Sequence, residues 1–249
     1  MEIKIESKKI PGRFLYGKLF AKKSNSRLVI FLSGLSGGRD LPLFINATEI
    51  FRKSGFDTLR INLCNEDIQK RNALDIKDLD LSFYSSELKN VIEKLPKKYL
   101  EFIFVGHSFG AIMSILFLFN NKKYLKNTKL VLWDQSRLPW SKKAMDKIFA
   151  IDSEKTLKNQ GNKIAINGKF YKELGSVDSV GIFHSLHKNA CIVTAEGSTD
   201  TDAKKYYRAT PDKAKSKYYV LKKTNHLFSG KKAQKELFEK TLKFIKYKD

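Results

Sequence analysis

Gly106-His107-Ser108-Phe109-Gly110 places a serine between two glycines at Gly-x-Ser-x-Gly spacing. An apolar run, Phe102-Ile103-Phe104-Val105, precedes it, and a helix-like apolar stretch from Ala111 to Phe119 follows. A sharp strand-to-helix turn brings the residues two before and two after the serine together, so neither can carry a Cβ. Such a turn lifts the Ser108 oxygen clear of the sheet. It also sets that oxygen at a helix start, where unbonded N–H groups and the positive dipole end favour a developing negative charge. The chemistry is nucleophilic attack on a carbonyl carbon. The plainer reading is a glycine-flanked turn whose serine only caps a helix, and the buried-strand pattern before it and apolar helix after it favour the nucleophile.

A serine hydroxyl is a weak nucleophile at neutral pH, so it needs a base within hydrogen-bond reach and a third group to orient that base. The chain has four histidines. His107 lies inside the pentapeptide, where it points away from Ser108 and flanks or packs. His184 and His187 precede a strand. His226, in Thr224-Asn225-His226-Leu227-Phe228, follows the last apolar strand on the same sheet edge as Ser108 and is the base candidate. The acid is expected after another strand on that edge. In Ala190 to Asp200 the chain turns at Gly197 and reaches Asp200 three residues later, which makes Asp200 the first choice and Asp202 and Glu196 its rivals. Two N–H groups must hold the oxyanion. Phe109, directly after the nucleophile, supplies one; the turn Gly34-Leu35-Ser36-Gly37-Gly38 supplies the other from Leu35, with Ser36 the alternative. That turn lacks the Gly-Lys-Ser/Thr ending and the Gly-x-Gly-x-x-Gly spacing of a phosphate cradle.

These residues need a sheet with one active edge. Met1 to Ile5 and Arg13 to Lys22 alternate like strands with one exposed face, and Pro11-Gly12 turns the chain between them, which predicts an antiparallel hairpin. Arg27 to Ser33 is a nearly continuous apolar strand of the kind covered on both faces. The pattern then predicts a helix over 42–54, a strand over 58–63, a polar loop over 64–78, a helix over 79–95, the pentapeptide strand and helix, and a strand over 129–133. From about Arg137 to Lys188 the rhythm breaks into an insertion above the C-terminal sheet edge. Asn167-Gly168 sits there between two short alternating runs and predicts a hairpin. Apolar Trp140, Ile164, Phe170 and Phe183 could form an acyl pocket or the insertion's own core. The alternation resumes with a strand over 190–194, a helix over 202–208, a strand over 217–221 and a helix over 231–246. Strand alternating with helix argues for a mostly parallel sheet with helices on both faces, one α/β domain over 1–249, without internal repeats.

The 249 residues carry a formal net charge of +22 and are 42% hydrophobic and 12% aromatic, which excludes a disordered chain. The charge comes mainly from dispersed lysine pairs such as Lys97-Lys98 and Lys222-Lys223. A nucleic-acid site would gather Arg and Lys on one face, so nucleic acid is disfavoured as a partner. The longest apolar run is half of a membrane span. Cys64 and Cys191 read as a pair of buried thiols, and with an N-terminus lacking a signal-peptide core they point to a cytoplasmic protein.

With these residues in view the chain resembles the α/β-hydrolases over nearly its whole length. Ser33-Gly34-Leu35-Ser36-Gly37 is similar to that family's His-Gly-x-x-Gly turn, Gly106 to Ala111 matches its elbow, and Gly197-Ser198-Thr199-Asp200 with His226 match its acid and base positions in the order serine, acid, histidine. The insertion with Glu173-Leu174-Gly175-Ser176-Val177-Asp178 is similar to the small lid of serine esterases and acyl-peptidase-like hydrolases, including the cinnamoyl and feruloyl esterases. Ser33 departs from the usual histidine, and Cys64-Asn65-Glu66-Asp67 from the Arg-Gly-His-Gly many members carry. The resemblance implies a serine hydrolase cleaving a carboxylic ester or thioester of a small acyl substrate through an acyl-enzyme, with no metal or cofactor. A serine peptidase of the same fold and a catalytically inactive ligand- or partner-binding relative are the alternatives.

Overall fold

Six apolar runs of five to seven residues form the parallel part of one eight-stranded sheet in the computed structural model, which describes residues 1–22, 25–35, 37–63, 73–74, 76–151 and 163–247. The strands are β1 (Glu2–Glu6), β2 (Phe14–Phe20), β3 (Arg27–Leu32), β4 (Asp57–Asn62), β5 (Glu101–His107), β6 (Thr128–Trp133), β9 (Ala190–Ala195) and β10 (Lys217–Leu221). Their spatial order is β1-β2-β4-β3-β5-β6-β9-β10. β2 pairs antiparallel with both β1 and β4, and every other pairing in the sheet is parallel. The opening hairpin and the parallel run that follows it match the alternation read from the chain. Because β3, β5, β6 and β9 run together, their C-terminal ends share one edge, and residues that leave those ends become neighbours.

Helices cover both faces. α1 (Pro42–Lys53) and α8 (Lys231–Lys246) close one side over Val29, Phe31, Val105, Val131 and Trp133. α2 (Leu81–Lys94), α3 (Phe109–Asn120) and α7 (Asp200–Ala209) lie on the other side, over Leu28, Ile30, Phe104, Leu130 and Ile192. The alternation of those numbers is the period of a strand with two buried faces. α3 is buried on nearly every residue because it runs beneath α2 and the segment after β6 as well as along the sheet. Cys191 is buried within β9, whereas Cys64 lies outside the described residues. No described helix is long and apolar enough to cross a membrane.

Between β6 and β9 the chain makes α4 (Lys142–Ile148), β7 (Phe149–Ile151), β8 (Ile164–Ile166), α5 (Gly168–Leu174) and α6 (Ser179–Ser185). The hairpin expected at Asn167-Gly168 is not there. β8 pairs instead in parallel with β7, and Asn167 is the N-cap of α5, its side chain accepting from the Phe170 N–H at 2.8 Å. Asparagine satisfies a helix start as readily as a tight turn, and the seven residues after it form a helix that buries Phe170 and Leu174. Phe170 and Phe183 are fully buried in the core, while Trp140 and Ile164 pack partly buried against it.

The elbow is where backbone sterics are tightest. A Cβ on Gly106 would come within 2.5 Å of the Ala111 main chain, and one on Gly110 would collide with the Leu32 and Ser33 carbonyls of the neighbouring strand. Neither neighbour can give, since both are backbone inside packed elements. Gly110→Ala should therefore lower the unfolding free energy by about 1–3 kcal/mol or more, read as a shifted midpoint in urea titration.

Candidate active site

β5 ends at His107, α3 begins at Phe109, and Ser108 between them takes φ 54° and ψ −120°. A non-glycine residue holds such a conformation only when its surroundings impose it. Here the Ser108 N–H donates to the Trp133 carbonyl at 2.9 Å, and the Ser108 carbonyl accepts from Ala111 and from Ser136, each at 3.2 Å. Both main-chain groups of the strained residue are thus satisfied. Its Oγ lies 3.2 Å from Ser136 Oγ.

Gly34 packs directly against this serine: a Cβ there would sit 3.0 Å from Ser108 Cβ and 3.3 Å from its Oγ. The turn after β3 is closed by a Gly37 N–H bond to the Gly34 carbonyl at 3.3 Å and by the Ser33 hydroxyl donating to the Gly37 carbonyl at 2.6 Å. Leu35 follows Gly34 in that turn, and Phe109 is the first residue of α3, where an N–H has no intrahelical acceptor. Ser36 lies outside the described residues. The Phe109 ring is walled in by Tyr84, Phe170 and Trp140, with centroids 5.9, 6.0 and 6.3 Å away. Aromatic residues of the β6–β9 segment therefore brace the helix start beside the serine.

His226, beyond β10, is brought to the same edge. Its Nδ1 lies 2.5 Å from Oδ2 of Asp134, and its side chain remains 41% exposed. Among the described residues nothing hydrogen-bonds its Nε2, Ser108 Oγ included. The sequence-based choice of acid is corrected here: the carboxylate that meets His226 is Asp134, the first residue past β6, and not Asp200. The reason lies in how β9 ends. The chain turns at Gly197 (φ 75°) straight into α7, so Asp200 and Asp202 fall in that helix's first turn, where negative charge complements the dipole. Asp202 accepts from Arg137 Nε at 2.7 Å, and Glu196 points to solvent.

The end of β9 supplies donors instead of an acid. Asp134 Oδ1 accepts from the Thr194 hydroxyl at 2.6 Å, the Thr199 hydroxyl at 2.8 Å and the Ala195 N–H at 3.0 Å; Oδ2 accepts from the Ser198 hydroxyl at 2.5 Å. Burial alone would raise the Asp134 pKa, but the bonds from His226, Ser198, Thr194 and Ala195 outweigh it and hold the carboxylate well below the usual range. Asp134 is therefore an anion facing an imidazole N–H. Its own φ of 40° is a conformation aspartate tolerates better than most residues. The signal for Asp134 was present in the chain, since an acid directly following the Lys129–Trp133 strand reaches the same edge as one following β9.

His107 packs, as its place in the pentapeptide suggests, and does more. Its ring lies 4.7 Å from that of His226, and its Nε2 donates to the His226 carbonyl at 2.8 Å, so the loop bearing His226 is pinned from beneath. His184 and His187 stay at the end of α6, His184 against the Ala209 carbonyl. Among the described residues no group of three His, Cys, Asp or Glu side chains is arranged to hold a metal ion.

No protein-family model and no curated protein sequence matches the chain. Solved structures do. Est1E from Butyrivibrio proteoclasticus, in a structure with ferulic acid bound, superposes with a TM-score of 0.76 at 15% identity, covering 98% of this chain and 100% of that one. A carboxylesterase structure from the thaumarchaeon Nitrososphaera gargenis gives 0.69 at 12% identity over 98% and 99% of the two chains. Mouse alpha/beta hydrolase domain-containing protein 10 gives 0.69 at 12% identity over 99% and 98%.

Burial first of all, and then the neighbouring His226, holds the His107 pKa down to about 4 from 6.5. The unfolded chain thus binds a proton in this window that the folded one refuses. Stability from this residue is complete above pH 6.5 and is lost as the pH falls toward 4. Denaturant midpoints between pH 7 and 4.5 should show this decline, with a shallower slope in His107→Gln. The eight-stranded order, the strained serine between β5 and α3 and the structural matches over the full length together establish that this chain has the α/β-hydrolase fold.

Proposed function

We propose that the protein is a serine hydrolase that cleaves a carboxylic ester or a thioester of a small acyl substrate by acyl transfer. One observation carries this reading: the Asp134–His226 pair stands on the same sheet edge as a serine locked into a strained strand-to-helix turn. Ser108 Oγ attacks the carbonyl carbon while His226 Nε2 takes its proton. The imidazolium then gives that proton to the departing alcohol or thiol. Asp134 fixes the imidazole with Nδ1 protonated and stabilises the charge that forms. The N–H groups of Leu35 and Phe109 hold the tetrahedral oxyanion, and each such donor contributes about 2.7–4 kcal/mol. Water repeats the sequence to release the acyl group. The ester preference draws support from the structural neighbours, an esterase with ferulic acid bound and a carboxylesterase.

Intact-mass analysis after exposure to a fluorophosphonate should show a single adduct that Ser108→Ala abolishes. With an ester and thioester panel, Asp134→Asn should reduce kcat on the order of 10⁴-fold by favouring the wrong imidazole tautomer, while Asp200→Asn retains activity. Absence of an adduct on folded wild-type protein would overturn the reading in favour of a ligand-binding relative. Equal losses in the two aspartate variants would overturn the choice of Asp134.

A further inference from the structure

Ser136 is the one described side chain that hydrogen-bonds the nucleophile, with Oγ to Oγ at 3.2 Å. Its main-chain N–H also donates to the Ser108 carbonyl at 3.2 Å, so it clasps Ser108 at two points. It is itself held from behind. The buried Tyr206 hydroxyl of α7 donates to the Ser136 carbonyl at 3.2 Å, and Tyr206 meets Ser179 Oγ of α6 at 2.7 Å. Ser179 in turn accepts from the Leu138 N–H at 2.8 Å, which anchors the chain two residues beyond Ser136. Helices α6 and α7 thus hold the main chain that presents the Ser136 hydroxyl to the reacting oxygen.

We propose that Ser136 is a second catalytic serine, whose hydroxyl donates a hydrogen bond to Ser108 Oγ as that oxygen gains negative charge. The proposal rests on the hydrolase reading above. In the resting state either oxygen can be the donor. Once His226 Nε2 takes the Ser108 proton, only Ser136 has one left to share, so the direction of the bond is settled by the reaction itself. Ser136 keeps its proton throughout. The bond to Ser108 then becomes charge-assisted, about twice as strong as the neutral one. An interaction that strengthens on the way to the transition state lowers the barrier, whereas one that is equally strong throughout does not. The same donor assists expulsion of Ser108 Oγ when the acyl-enzyme breaks down, since that step passes through the same developing alkoxide.

The test uses the purified full chain as wild type, Ser136→Ala, Ser136→Thr and Tyr206→Phe. Each is followed by the pseudo-first-order rate of fluorophosphonate labelling, by kcat and KM on an acetyl ester, and by Tm. Ser136→Ala should label about tenfold more slowly and lose kcat by a similar factor with KM unchanged. Threonine, which keeps the hydroxyl, should recover most of that loss, and Tyr206→Phe should show a smaller loss in the same direction. Labelling of Ser136→Ala at the wild-type rate would overturn the proposal. So would a loss that threonine fails to recover and that follows Tm across the variants, which would mark Ser136 as structural. If the wild type itself fails to label, the hydrolase reading falls first, and the two failures are thereby told apart.

Discussion

A carboxylate with no exposure to solvent must be surrounded by donors, and the Asp134 carboxylate is. Threonine hydroxyls from the end of β9 and the turn after it, a main-chain N–H, a serine hydroxyl and an imidazole converge on its two oxygens. The charge does more than orient a histidine. It joins β6, β9 and the loop after β10 at the edge where each element would otherwise end in unpaired polar groups. If one donor is lost, the remaining groups still face a buried anion, so the bonds are held together by a shared cost. The strained serine depends on the same strand end, because its N–H is bound by Trp133 and its carbonyl by Ser136, on either side of Asp134.

The segment between β6 and β9 shows a different economy. Its polar residues closest to the sheet include Ser136 and Ser179, which Tyr206 of α7 links, while its aromatic residues pack on one another and on Phe109. Trp140 lies nearly flat on Phe149 at 5.8 Å, and Phe170 packs against both Phe109 and Tyr84, which also touch each other. The apolar wall therefore reaches Phe109 and the polar clasp reaches Ser108, both from the same segment, one setting the helix start and the other the hydroxyl.

Most of the architecture was legible because buried strands and amphipathic helices leave different periods in the chain. β10 and α8 begin and end where the apolar pattern does, and β3 and β6 deviate by a residue. The glycines of the elbow were legible for a steric reason that needs no partner. Asp134 was not singled out, because the rule that an acid follows a strand on the active edge applies to β6 as well as to β9. What decides between them is which strand end brings donors and which brings the charge, and hydroxyls at Thr194, Ser198 and Thr199 look like ordinary loop residues in a linear chain. Asn167-Gly168 misled for a related reason: asparagine serves hairpin turns by tolerating a left-handed backbone and helix starts by its side-chain bond, and the linear chain does not say which use it has. The polar loop read over 64–78 lies largely outside the described residues, as does its departure at Cys64 to Asp67.

The order of these parts along the chain also bears on when the site comes into being. Ser108 and Ser136 are 28 residues apart, and Asp134 falls between them, all within a β5–α3–β6 unit. His226 lies 92 residues beyond Asp134. Contacts this local close at small entropic cost, whereas the distant one waits for β10 to add itself to the far side of β9. As the chain leaves the ribosome, the elbow, its clasp and the buried acid are all synthesised before the imidazole. On the hydrolase reading proposed above, the serine is thus unarmed during synthesis, and the final strand of the sheet is the step that arms it.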